Sequence, residues 1–253
     1  SKDRNEYMIN QFNKYKVKNY HRMEGIDGLK IDNLKEYCIL DEKKISEKSS
    51  VDNYKNTYLS NGEIGCFLSH LKSLDYFVKN LKEEYCFICE DDLSFDTLPM
   101  INIDFNMFIK NIINDDYEFY NLSPIFPKEK RVNFNIEDFK NNFDKYWGTS
   151  CLLISKNQAK QILKFYKYKN YLVNFNKIIE PYDNSIYNNF KIYSYPLFVT
   201  TIFPSVISTK VNNNLLENRE YVLRLWDKDK INKINLYDFL KDYINKEVIF
   251  IPN

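Results

Sequence analysis

Apolar positions recur at helical spacing over Glu63–Leu81. Ile64, Phe67, Leu68, Leu71, Leu74, Val78 and Leu81 share one face, which predicts an amphipathic helix. The same spacing links Tyr7, Met8, Phe12 and Tyr15 behind Ser1, a suitable N-cap, and predicts a first helix. "YHRMEGIDG" then reads as a strand running into a turn, and residues 41–60 are polar without periodicity, the pattern of a mobile loop. Tyr85-Cys86-Phe87-Ile88-Cys89 is a continuous apolar run and predicts a buried strand. Further on, a helix is expected over 104–113 and a strand over 117–122. "WGTSCLLISKNQAKQILKFY" reads as strand then helix, with Ser155 and Gln158 at capping-box spacing. "NNFKIYSYPLF" adds a strand, and the tail is helical around 215–226 and 236–243. Strands alternating with helices predict an α/β fold with a mostly parallel central sheet, in one domain.

Composition changes this reading little. A chain of 253 residues can bury a large core, and 21 Tyr and 19 Phe argue against disorder. The net charge of +1 gives no global attraction to nucleic acid. No apolar run approaches the roughly 18 residues of a membrane span. Ser1 is not a natural start, so a leader or a first strand is expected upstream. The five cysteines form no disulfide framework, which favours a cytoplasmic setting. Cys86-Phe-Ile-Cys89 has the spacing of a redox or zinc motif, but residues three apart on a strand face opposite ways, and buried small apolar residues account for it better.

Glycine is scarce, with five residues at Gly25, Gly28, Gly62, Gly65 and Gly148. Either these are turns and caps, or a loop and a helix start are brought close to a ligand. In "NGEIGCFLSH", Glu63 and His70 lie two helical turns apart at the edge of the apolar face. His70 is either a core histidine or a contact to substrate.

The most informative stretch is "YCFICEDDL", where a strand ends in Glu90, Asp91 and Asp92. In an α/β sheet ligands bind at the carboxyl ends of strands. Three adjacent acids stay ionised at low cost only if a cation or water neutralises them. Hard divalent ions such as Mg²⁺ or Mn²⁺ take such carboxylates and leave coordination sites for phosphate. In an extended segment Glu90 and Asp92 converge on one site as metal ligands, while Asp91 points elsewhere. An acidic surface turn is the competing account.

"NGEIGCFLSH" followed by "CFICEDDL" resembles glycosyltransferase family 25, which includes lipooligosaccharide and procollagen galactosyltransferases. "SKDR" at 1–4, "EGIDG" at 24–28, "WGTSCLLISKNQA" at 147–159 and "EPYDNSIY" at 180–187 extend the likeness over roughly 1–210. Residues 211–253 do not align, and the strand expected before "SKDR" is absent from this sequence. The resemblance implies a GT-A-like nucleotide-sugar-binding sandwich. It puts the acidic metal motif on Glu90, Asp91 and Asp92, and further donor-site residues on Arg4, Asp27, Gly62, Glu63 and His70, with Gly65, Cys66 and Ser69 in the same motif. The family's P-x-D falls on Pro181 and Asp183.

The activity implied by this resemblance is that of a Mn²⁺- or Mg²⁺-dependent, inverting hexosyltransferase. Its donor would be a UDP-sugar, UDP-galactose or UDP-glucose, and its acceptor a glycan or protein. Asp183 is the first choice for general base and Glu180 the second, with a helix N-cap as the competing role for Asp183. Trp147 either floors the sugar or fills the core. A metal-dependent phosphodiester hydrolase and an inert binding module remain as alternatives.

Overall fold

The computed structural model describes residues 2–28, 30, 34, 36–46, 58–100, 119–126, 148–168, 172–178, 180–194, 196–200 and 209–225, without the side chains of 2, 209–214 and 225. The expected helices at 104–113 and 236–243, and Trp147, lie outside the described residues. The architecture is mixed α/β. The described elements are α1 (Lys2–Lys14), β1 (Cys38–Ile39), α2 (Asn61–Asn80), β2 (Tyr85–Cys89), β3 (Leu93–Ser94), β4 (Phe119–Asn121), β5 (Cys151–Ser155), α3 (Lys156–Phe165), β6 (Val173–Asn174), α4 (Tyr182–Asn189), β7 (Tyr193–Ser194), β8 (Val199–Thr200) and α5 (Thr209–Leu225). A four-stranded sheet has the order β2-β5-β4-β7.

The chain divides into two compact units, each assembled from separate segments. One comprises 1–20, 89–153 and 191–253; the other comprises 21–88 and 154–190. Each is described by itself.

In the first unit β4 pairs with β7 in parallel and β3 with β8 antiparallel. The Glu90 N–H donates to the Ser150 carbonyl at 2.8 Å, and the Cys89 and Cys151 sulfurs face each other one residue along. The ends of β2 and β5 therefore run antiparallel here, so the sheet is mixed rather than built on parallel pairing alone. Phe119, Tyr120 and Cys151–Leu153 are inaccessible because β4 and β5 are internal strands of the sheet. Helix α1 buries Met8, and its Phe12, with Tyr15 just past its end, contacts Phe95, which in turn packs edge-on against Phe198. Helix α5 is anchored by Asn218, whose side chain accepts from the Phe126 N–H at 2.8 Å and donates to the Pro124 carbonyl at 3.2 Å. Arg219 on the same helix pairs with Asp96.

In the second unit α2 is the organising element. The Ser60 hydroxyl accepts from the Glu63 N–H, and the Glu63 carboxylate accepts from the Ser60 N–H at 2.8 Å. This complete capping box starts the helix at Asn61, two residues before the apolar stripe suggested. Its buried face is Ile64, Phe67, Leu68, His70, Leu71, Leu74 and Phe77, with Gly65 among them. Burying each large apolar side chain contributes about 1.5–3 kcal/mol against leaving it exposed. Phe67 is the centre, meeting Tyr166, Phe175 and Tyr182 edge-on at 4.9, 5.2 and 5.1 Å. Helix α3 starts where Ser155 accepts from the Gln158 N–H at 3.0 Å, so that cap forms as its spacing predicts.

Two expectations are corrected here. "YHRMEGIDG" forms no strand. Its Ile26 N–H donates to the Ser69 hydroxyl at 2.8 Å instead of to a neighbouring strand, and the Glu24 carbonyl accepts from Lys72. Side chains of α2 take the bonds a sheet partner would have taken. Strand β2 is half-buried along Tyr85–Ile88 and exposed at Cys89, not fully enclosed. Within 41–60, residues 42–44 form a 3₁₀ turn and Ser46 bridges Ser60; 47–57 lie outside the described residues.

Candidate functional site: an acidic turn at the end of a strand

The first unit brings Arg4, Glu90, Asp91 and Asp92 together. Strand β2 stops at Cys89, and the Leu93 N–H bonds back to the Glu90 carbonyl at 3.3 Å. Asp91 and Asp92 are thus the two central residues of a turn, so Glu90 and Asp92 are not alternate positions of an extended segment as expected. The turn still separates them. Asp91 is nearly half-exposed and pairs with Arg4 at 2.6 Å, whereas Asp92 is buried at 8% exposure. Arg4 comes from the first turn of α1 and is itself largely enclosed.

Glu90 is held from another direction. Thr149, in the segment entering β5, donates its hydroxyl to Glu90 Oε1 at 2.9 Å. That segment has its own support. Gly148 has φ +93, and its carbonyl accepts from the buried Asn121 side chain on β4 at 2.9 Å. Only glycine takes that backbone conformation without strain, so Gly148 sets the turn that presents Thr149. Sequence reading singled out the glycine but not Thr149. Its signal was its place directly after a glycine and before a strand whose neighbour ends in acids.

Burial, and then the neighbouring charge of Glu90, push the Asp92 carboxyl up from the ordinary 3.8 to about 7; Arg4 pulls it partly back. Its Oδ1 is enclosed without a hydrogen-bond partner among the described residues. A buried carboxylate oxygen with no donor is costly, and an added cation relieves both that oxygen and the crowding with Glu90. All the donors are carboxylate oxygens, the set that hard divalent cations take.

The second unit holds the other predicted residues. Asp27 makes a surface pair with Lys30 at 3.7 Å. Gly62 lies in the first turn of α2, where a side chain would meet nothing within 4 Å among the described residues. Glu63 serves the capping box. His70 is buried at 5% exposure and stacks on Tyr182, with ring centroids 4.3 Å apart. Glu180 accepts from Asn188 at 2.9 Å. Asp183 lies in the first turn of α4, where it accepts from the Asn184 N–H at 2.9 Å. Pro181 occupies the N-cap, so capping is not the role of Asp183.

An α/β sheet with a strand-end acidic turn describes an α/β protein with a candidate cation site, and comparison places the chain more closely. Residues 1–186 match glycosyltransferase family 25 (LPS biosynthesis protein). The chain belongs to that family and is a glycosyltransferase. No curated protein matches it. Among the described residues no helix is long and apolar enough to cross a membrane.

Proposed function

We propose that this glycosyltransferase moves galactose or glucose from a UDP-sugar to an acceptor hydroxyl, with inversion, on a GT-A-like fold that needs Mn²⁺ or Mg²⁺. The reading rests on Asp92, a buried carboxylate with an oxygen unpartnered among the described residues, in the acidic turn of a family 25 chain. Glu90 and Asp92 would hold the metal, which when bound supplies positive charge against the diphosphate leaving group. Thr149 keeps the Glu90 carboxylate oriented through its 2.9 Å hydrogen bond. Arg4 fixes Asp91 at the rim and adds positive charge that favours ionised Asp92. Asp183 takes the proton of the acceptor hydroxyl at its carboxylate, and Glu180 is the second candidate. Arg4, Asp27, Gly62, Glu63, His70 and Asp91 are the proposed donor-binding set, although capping by Glu63 and stacking by His70 each account for that residue without a ligand. The family description favours a glycan acceptor over a protein one.

Calorimetric titration of UDP-galactose and UDP-glucose, with and without Mn²⁺, tests the reading. Binding is expected only with the metal, and it is lost in a folded Asp92→Asn variant. Equal binding in both conditions removes the metal from the reaction. Absence of binding to either donor points to an inert module. Release of UDP that does not depend on an acceptor points to a hydrolase.

A further inference from the structure

Cys89 ends β2 and Cys151 opens β5, neighbouring strands of the sheet. The bond from the Glu90 N–H to the Ser150 carbonyl sets their register, and one residue inward the two sulfurs stand 3.7 Å apart. In an antiparallel ladder this is the non-hydrogen-bonded position, with Cα atoms about 4.5 Å apart. A disulfide spans Cα separations of about 4.4–6.8 Å. Neither is in a disulfide. Cys89 is exposed, whereas Cys151 is fully enclosed beside it. One sulfur can meet a reagent, and the other waits within reach of the product.

Two of the other three cysteines are less suited. Cys86, the other half of the C-x-x-C spacing, has its sulfur 3.4 Å from the Phe87 carbonyl. Cys38 is buried, donates to the Leu34 carbonyl at 3.0 Å, and is pushed up to about 11 by burial.

We propose that Cys89 and Cys151 form a reversible cross-strand disulfide site immediately before the acidic turn, oxidised by a low-molecular-weight disulfide. The Cys89 sulfur gives its proton to solvent and attacks one sulfur of the oxidant RSSR. The RS–SR bond breaks, and the departing sulfur takes up a proton as RSH. Cys89 now carries –SR. The Cys151 sulfur loses its proton to water and attacks the Cys89 sulfur, releasing the second RSH. Two thiols have lost two electrons, and one RSSR has become two RSH. A dithiol reductant reverses both steps. Closure shortens the sulfur separation from 3.7 Å to about 2.05 Å, and the adjacent residues are Glu90 and Ser150.

The test uses the metal-free full chain, native, incubated with oxidised glutathione, then acid-quenched, alkylated and digested without reduction. Mass spectrometry is expected to find a peptide joining Cys89 to Cys151, both sites losing alkylation and regaining it after dithiothreitol. In Cys151→Ala, Cys89 is expected to stop at the glutathione adduct. Should that variant not fold, the wild-type peptide map decides alone. A wild type in which Cys89 stops at the adduct, stays reduced, or joins Cys86 or Cys66 overturns the proposal. The readout is the covalent bond, so it stands or falls independently of the proposed sugar transfer.

Discussion

Asp92 carries the sharpest consequences at the scale of one residue. Its folded-state pKa, raised to about 7 against 3.8, means the folded protein binds more protons than the unfolded chain between those values. Stability of the metal-free protein therefore falls as pH rises from about 4 through about 7, and stays lower above. Asp92→Asn removes the buried charge. Its metal-free melting temperature is expected to exceed that of wild type at pH 8 and to converge with it near pH 4, as read by calorimetry. Equal melting temperatures at both pH values would show that Asp92 is not held in a charge-excluding site. His70 gives the opposite case. Buried and stacked on Tyr182, it behaves as core, so His70→Ala is expected to lose about 2–5 kcal/mol, the scale of a core truncation. Weakened UDP-sugar binding with unchanged melting would instead assign His70 to the donor. The sequence placed His70 at the edge of an apolar face, where both roles fit. Its stacking partner lies more than a hundred residues away and has no local signal.

At the scale of elements, the glycines around the start of α2 were expected either as turns and caps or as a close approach to a ligand. Gly28 and Gly65 do permit a close approach, and the approaching partner is the protein's own backbone. A side chain at Gly65 would sit 2.7 Å from the Ile26 carbonyl and 2.8 Å from the Gly28 nitrogen, and one at Gly28 would overlap the Asn61 carbonyl. Both neighbours are backbone, which cannot swing aside. Gly65→Ala and Gly28→Ala are expected to destabilise by about 1–3 kcal/mol in urea titrations. Gly62 faces open space, so Gly62→Ala is expected to be neutral or stabilising by up to about 1 kcal/mol. If all three cost the same, the contact between the loop and α2 does not govern stability. Ser60→Ala tests the cap of the same helix, and a loss of about 1 kcal/mol is expected there. The Ser60-x-x-Glu63 signature is local, yet the apolar stripe alone put the helix start at Glu63 and this cap was missed. The "YHRMEGIDG" segment was misread because its hydrogen bonds go to Ser69 and Lys72, and no pattern within nine residues encodes a partner forty or more away.

For the whole molecule, sugar transfer needs an acid–base group distinct from the metal-binding acids, and Asp183 is the proposed one. Asp183→Asn is expected to lower transfer by about two to four orders of magnitude while UDP and Mn²⁺ affinity stay near wild type. Lost donor affinity would place Asp183 in the sugar pocket, and full turnover would pass the role to Glu180. Period and chemistry were readable along the chain. The stripe on α2, the apolar run of β2, the cap of α3, and the break from Cys89 into three acids are all local, because side-chain spacing sets which face an element buries. The family match spans residues 1–186, which hold these motifs. Tertiary structure alone decided what each acid became. A one-residue difference within the turn puts Asp91 at the rim beside Arg4 and Asp92 inside, its Oδ1 without a donor among the described residues, although their sequence surroundings are almost the same. It also brought Thr149 to Glu90 and Cys151 to Cys89 across some sixty residues. Desolvation and Coulomb interaction depend on distance in space, and only the folded chain sets those distances.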